Sequence, residues 1–196
     1  MARQPSGPSG PSAAAVPRKL KDRRIARPDF PDVALRMLAL GDLRQIMGWL
    51  VRPHVAVHWA SPQAAVAEIA RHMDAPDVSP FIILARGRPV GYLQIYAASD
   101  DPFWAGHDLP RETFGLDLFI GEPDALRRGY GSACLALAAA HLLDIPGVVR
   151  VQGDPSPKND AALRAFARAG FERRGEITTP DGPAIYMVLD RGRLST

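Results

Sequence analysis

Asp117-Leu118-Phe119-Ile120, followed after a short loop by Arg127-Arg128-Gly129-Tyr130-Gly131-Ser132, decides how this chain is read. The stretch opens as an apolar strand and closes on paired glycines that lead an Ala/Leu-rich helix from Ser132 to Leu143. The first turn of a helix carries backbone N–H groups without helical partners, and its dipole adds partial positive charge, so the loop suits a pyrophosphate. Arg127 and Arg128 add charge-assisted donors beside Gly129, Tyr130, Gly131 and Ser132. No Lys-Ser/Thr pair follows the glycines, which sets the loop apart from a Walker phosphate loop. The pattern fits a coenzyme carrying a diphosphate, such as acetyl-coenzyme A.

Outward from this stretch, hydrophobic periodicity and turn residues give the other elements. Upstream stand a strand from Val33 to Leu38, a helix opened by Asp42 that stops before Pro53, and a helix capped by Ser61-Pro62 that reaches about His72. Strands Phe81–Ala85 and Val90–Tyr96 flank Arg86-Gly87-Arg88-Pro89, a hairpin turn, and a loop from Ala97 to Glu112 precedes the strand Thr113–Ile120. Downstream come a strand (Val148–Gly153), a helix (about Pro157–Ala169, stopped by Gly170), a strand (Phe171–Thr178), a turn at Pro180-Asp181-Gly182-Pro183 and a last strand, Ala184–Leu189. The order predicts an α/β fold whose sheet is of mixed direction, with hairpins first and βαβ crossovers around the glycine loop.

With 196 residues, 46% hydrophobic and 23% charged, the chain reads as one globular domain over residues 31–191. The single cysteine, Cys134, excludes an internal disulfide framework and falls on the apolar helix as a core residue. His54, His58, His72, His107 and His141 lack metal-ligand spacing, so no metal is expected. No apolar run approaches the roughly 18 residues that span a bilayer, and the chain reads as cytoplasmic and membrane-free. The formal charge of +3 is uneven: residues 1–28 carry +6, leaving −3 for the rest. Residues 1–30, Pro/Gly/Ser-rich and then basic, read as a solvated, disordered tail, with nucleic-acid binding the lesser alternative.

The chain resembles the GNAT superfamily of N-acetyltransferases over roughly residues 33–190. The resemblance rests on the glycine spacing of Gly129-Tyr130-Gly131 and on the run from Asn159 through Ala161 to Gly170-Phe171. Trp49–His54, Asp154–Asn159 and, most specifically, Thr178–Met187 are similar to the aminoglycoside 6′-N-acetyltransferases. This implies a mostly antiparallel central sheet, splayed near the cofactor strand and flanked by helices. It implies acetyl-coenzyme A as acyl donor, a polycationic aminoglycoside as acceptor, and antibiotic resistance as the outcome. It also adds Asn159 to the coenzyme contacts. Two positions depart from the superfamily pattern: Leu126 stands where Gln or Arg is common, and Phe166 where many members carry a tyrosine that protonates the leaving thiolate.

Transfer of an acetyl group to an amine requires that the ammonium lose its proton, since its lone pair is otherwise engaged. Asp117, a carboxylate in the apolar run Phe114–Ile120, is the candidate base, with capping a bulge or pairing with Arg111 or Arg150 as the structural alternative. Backbone amides of Leu118, Phe119 and Ile120 would hydrogen-bond the pantetheine arm like an added strand and polarise the thioester. Seven acids and one base lie between Ala97 and Leu126, interrupted by Phe103 and Trp104. Carboxylates attract ammonium groups and aromatic faces stack on sugar rings, so Asp101, Trp104 and Asp117 are candidate acceptor contacts. The resemblance adds Trp49, Asp154 and Asp181. Each has a second reading, as a core aromatic, a helix cap and a turn residue respectively. Two functional alternatives remain: acylation of a hydroxylysine-type siderophore precursor, and non-catalytic binding of coenzyme or antibiotic.

Overall fold

A computed structural model describes residues 17–59, 61–104, 107, 109–110 and 112–193. The elements in chain order are β1 (Arg24–Ile25), β2 (Val33–Met37), α1 (Leu43–Leu50), α2 (Pro53–Ala56), α3 (Pro62–His72), β3 (Val78–Ala85) and β4 (Arg88–Ala97). They continue as β5 (Thr113–Ile120), α4 (Tyr130–Asp144), β6 (Arg150–Gly153), α5 (Asp160–Arg168), β7 (Glu172–Thr179) and β8 (Gly182–Asp190). One eight-stranded sheet runs β1-β2-β3-β4-β5-β6-β8-β7, antiparallel throughout except between β5 and β6. This is the mixed, mostly antiparallel α/β architecture expected from the sequence.

Both faces of the central strands are covered, which explains the near-continuous apolar run of β3. Phe81, Ile83, Leu93 and Ile95 face one core with α4, whereas Ile82, Leu84 and Tyr92 face a second core with α1 and α3. Cys134 is buried within the first core, and burial pushes its thiol up to about 12. Asp42 does not cap α1: its carboxylate takes both terminal nitrogens of Arg36 at 2.9 Å and the Ala39 amide at 2.8 Å. The charge-assisted fork outcompetes a helix amide for the same oxygens.

The feature that positions the site is the parting of β5 from β6. Their parallel ladder covers only Thr113–Gly115 against Arg150–Gln152. Beyond it, β5 stays paired with β4 as far as Ile120, while the chain leaving β6 stays with β8 through the Ile185 amide bonded to Pro155 C=O at 2.9 Å. The distal half of β5 therefore keeps an open backbone edge. Phe166 lies at the fork, its ring against Gly153, where an added Cβ would come within 2.3 Å of the ring and 3.2 Å of the Leu116 carbonyl.

The N-terminal boundary differs from expectation. Residues 1–16 lie outside the described residues, but 17–30 are not a solvated tail. Leu20 and Ile25 are 3% and 2% exposed, β1 pairs with β2, and Lys19 Nζ donates to the carbonyls of Met73 and Ala75 at 2.7 Å each. The basic composition hid two apolar anchors spaced among the charges. Ile25→Ala is expected to lower unfolding free energy by about 2–4 kcal/mol in urea titration, whereas a solvated side chain there would leave it within about 0.5 kcal/mol.

Candidate active site

Strand alternation sends Leu116, Leu118 and Ile120 toward α4 and turns Asp117 to the opposite face, beside Gln94 of β4 in register. Gln94 Nε2 donates to Asp117 Oδ2 at 2.7 Å. The Gln94 carbonyl oxygen accepts from the Tyr92 hydroxyl at 2.9 Å and contacts His72 Nδ1 at 3.1 Å. The amide is thereby oriented with its NH2 toward the carboxylate. Arg150, proposed as a partner of Asp117, instead binds Asp190 at 2.7 Å, and Arg111 lies outside the described residues.

Asp117 is packed by protein on most sides yet keeps part of its surface open. Burial, then the negative charge of Asp154, pushes its carboxyl up to about 7; Asp181 and Asp101 add to this, and the Gln94 bond opposes it. Asp154 is pushed up to about 6 by burial and by Asp181 and Asp101. Four carboxylates from four separate segments thus act on one another electrostatically. Asp101 also shapes its loop, with Oδ1 accepting the Phe103 amide at 2.8 Å. Asp181 is exposed in the β7–β8 turn. Tyr96, on the same face, lies over Gly115, where an added Cβ would meet the phenol ring at 2.0 Å. Burial followed by the charge of Asp117 holds the Tyr96 hydroxyl well above its ordinary range.

Three expected contacts have other roles. Trp49 is 1% exposed in the second core, with Nε1 donating to Glu122 at 2.7 Å and its ring against Gly121. Its indole is used to anchor the chain leaving β5 and offers no face to a ligand. Arg52 joins this clamp, bonded to Gly121 C=O at 2.6 Å and Glu122 at 2.9 Å, and His54 Nε2 lies 3.1 Å from Ile120 C=O. Trp104 is 3% exposed and packs on Tyr186 with ring centroids 5.4 Å apart. Asn159 caps α5, its Oδ1 accepting the Ala162 amide at 3.0 Å.

The glycine loop opens α4 as expected, but the helix begins at Tyr130, two residues before the expected Ser132. Gly129 caps α4 at φ 82°, and Arg127 before it is also left-handed at φ 59°. The first bond into the helix is Ala133 N–H to Gly129 C=O at 3.0 Å, so the amides of Tyr130, Gly131 and Ser132 precede the helical ladder. Ser132 Oγ donates back to Gly129 C=O at 2.9 Å. A Cβ at Gly131 would touch only side chains of Ile120, Leu118 and Ala165, at 3.9–4.0 Å. Protein packing therefore does not require glycine there. Arg127 and Arg128 are exposed and form no ion pair among the described residues. Leu118, Phe119 and Ile120 supply the open strand edge beside this cradle. Chemically, the arrangement joins an extended-chain binding edge, an anion cradle and a carboxylate poised to exchange a proton near neutrality.

Residues 39–179 match the family model described as an acetyltransferase (GNAT) domain. The chain belongs to the GNAT acetyltransferases. It is 35% identical over 168 residues to aminoglycoside N(6′)-acetyltransferase type 1 of Klebsiella pneumoniae, covering 81% of this chain and 83% of that protein. It is 30% identical over 176 residues to the lysine N-acyltransferase MbtK of Mycobacterium tuberculosis, covering 85% and 83%. A crystal structure of aminoglycoside acetyltransferase AAC(6′)-Ib with coenzyme A and kanamycin superposes with a TM-score of 0.72 at 34% identity, over 82% of this chain and 95% of that one. Within this GNAT domain the described residues include no group of His, Cys, Asp or Glu that could hold a metal ion, and no helix long and apolar enough to cross a membrane.

Sequence reasoning missed Gln94, Tyr92, His72 and the Trp49–Glu122–Arg52 clamp. Gln94 carried a signal, as the single amide in the run Val90–Tyr96, but its partner depended on strand register. A carboxyl raised in the fold binds protons that the unfolded chain has already released, so its stability contribution is lost as pH rises from about 4 through 7. Asp117→Asn is accordingly expected to be more stable than the parent at pH 8, by more than ~1 kcal/mol, and equal to it near pH 4, as read by denaturant unfolding.

Proposed function

We propose that this GNAT acetyltransferase carries the acetyl group of acetyl-coenzyme A directly to the 6′-amino group of an aminoglycoside. Such transfer would confer resistance. The observation that carries the reading is Asp117, held by Gln94 on the open-edged strand β5, its carboxyl raised to about 7 by burial and by the charges of Asp154, Asp181 and Asp101. The strand that holds it has an open edge leading to the anion cradle. The similarity to aminoglycoside 6′-N-acetyltransferases over four-fifths of the chain supports the same acceptor.

In this proposal the coenzyme's diphosphate lies on the amides at the start of α4, with Arg127 and Arg128 beside it, and its pantetheine arm runs along Leu118–Ile120. Asp101, Asp154 and Asp181 draw the acceptor's ammonium groups into the cleft, and that positive charge favours ionised Asp117. Asp117 takes one proton from the reacting ammonium, directly or through water. The freed amine attacks the thioester carbonyl, whose developing negative charge is met by a backbone amide of the open edge. Collapse breaks the C–S bond, and the second proton of the amine follows the departing sulfur. A thiolate, with an ordinary pKa of about 8.5, leaves without a dedicated acid, which is consistent with Phe166 in place of a tyrosine. Because the acyl donor is an intracellular metabolite, the same proposal assigns the protein to the cytoplasm. A siderophore-type lysine acceptor carries a carboxylate of its own, which the acidic cleft would repel.

The test is release of free thiol from acetyl-coenzyme A in the presence of kanamycin or tobramycin. Thiol release above background is expected, and none across several aminoglycosides would remove the proposal. Asp117→Asn should lower kcat at least roughly tenfold with coenzyme affinity unchanged, and an unaltered rate would discard Asp117 as the base. The parent's kcat/KM should rise between pH 6 and pH 8, as the carboxyl ionises through about 7. Asp181→Ala should chiefly raise the aminoglycoside KM, and an unchanged KM would leave it a turn residue.

A further inference from the structure

Beside the glycine loop lies a concavity of about 230 Å³ lined by Ala85, Arg86, Arg88, Asp124, Arg128 and Tyr130. Two of its residues, Arg128 and Tyr130, belong to the loop proposed to grip the diphosphate. The other two arginines come from the β3–β4 hairpin, a separate part of the chain brought alongside by the antiparallel pairing of β4 with β5. Arg88 and Arg128 act on the Asp124 carboxylate, while Arg86 is paired with Asp32 at the rim of the same concavity.

The hairpin holds its arginine at a backbone cost. Arg86 and Gly87 form a two-residue turn with φ of 50° and 82°, a geometry in which the first position favours Asn, Asp or Gly. A long side chain with a Cβ is disfavoured there, and packing over-determines such positions where a side chain is needed. The Arg86 guanidinium is aimed by Asp32, which takes Nε at 2.9 Å and Nη2 at 3.5 Å, leaving Nη1 uncommitted in these pairings. Arg88 donates from Nη2 to both oxygens of Asp124 at 2.8 Å, leaving Nε and Nη1. Arg128 forms no ion pair among the described residues. Donors from all three arginines thus border a concavity that shares Arg128 and Tyr130 with the glycine loop.

We propose that Arg86 and Arg88, with Arg128, form the seat of the coenzyme's ribose 3′-phosphate, so that the protein selects the 3′-phosphorylated coenzyme over its dephosphorylated precursor. This inference rests on the proposed coenzyme mode. In coenzyme A the 3′-phosphate and the 5′-diphosphate leave the same ribose, so holding one at the start of α4 brings the other within reach of an adjoining basic concavity. Neither hairpin arginine belongs to the strand edge or the glycine loop, and their contribution is to affinity and selectivity for the donor.

The test is calorimetric titration of the intact protein with coenzyme A and with 3′-dephospho-coenzyme A, without acceptor. The parent is expected to bind coenzyme A roughly tenfold or more tightly than the dephosphorylated form, a charge-assisted contact of ordinary strength. Arg88→Gln and the double variant Arg86→Gln/Arg88→Gln should lose most of that ratio while retaining affinity for 3′-dephospho-coenzyme A. Asp124→Asn, which removes the opposing carboxylate, should tighten coenzyme A more than the dephosphorylated form, a gain that misfolding cannot produce. Equal affinity of the parent for the two compounds would overturn the 3′-phosphate seat while leaving acetyl transfer intact, and so would a preference untouched by both arginine variants. Absence of binding to either compound would instead remove the coenzyme reading beneath it.

Discussion

Burying a carboxylate beneath a sheet is unfavourable unless donors or a cation meet it, and this constraint runs through the whole arrangement around Asp117. One amide, that of Gln94, is bonded to it, and the neighbouring charges of Asp154, Asp181 and Asp101 are of its own sign. The fold tolerates the group by letting it hold a proton. A polycation entering the cleft would supply what the protein withholds, because each ammonium offsets the repulsion among the four acids. The cleft thus gains more from its ligand than a relaxed, internally paired cluster would. Arg150, the cation that could have neutralised it, is committed to Asp190.

The second organising element is the fork in the sheet. β5 remains with β4, and the chain beyond β6 remains with β8, so the opening arises from strand loyalties on either side. Because β5 is followed by α4, the open strand edge and the helix N-terminus lie at the same end of the same segment. Asp117 projects from one face of that strand while Leu116, Leu118 and Ile120 pack against α4 on the other. A donor laid along the edge and an acceptor held in the cleft would then meet at a single backbone. The Trp49, Arg52 and His54 contacts to Ile120, Gly121 and Glu122 fix where that backbone ends.

Much of this was legible because strong local signals coincided with tertiary demand. Thr113–Ile120 emerges with the expected bounds, and the left-handed Gly170 ends α5 where the pattern placed it. α5 begins at Asp160, later than expected, because Asn159 caps it after the proline-rich turn. Asp101, Asp117, Asp154 and Asp181 were each readable as acids, but their mutual influence depended on register and loop course. For Trp49 the resemblance suggested a ligand contact, while its helical spacing from Ile46 already offered the core reading that its burial against Glu122 matches. β1 escaped notice because two residues flanked by arginines carry no periodic signal, although the edge of β2 supplies the missing partner.

The charge stored in the cleft also bears on how a turnover would finish. An acetylated amine is an amide and carries no positive charge at neutral pH, so the modified acceptor would present one cation fewer to the same four carboxylates. Asp117, having gained a proton, would be neutral at that moment and would have lost its attraction for the nitrogen beside it. The burial and like charge that make Asp117 basic would thus loosen the departing molecule's hold without any moving part, and the next cationic molecule would compete for the site on favourable terms.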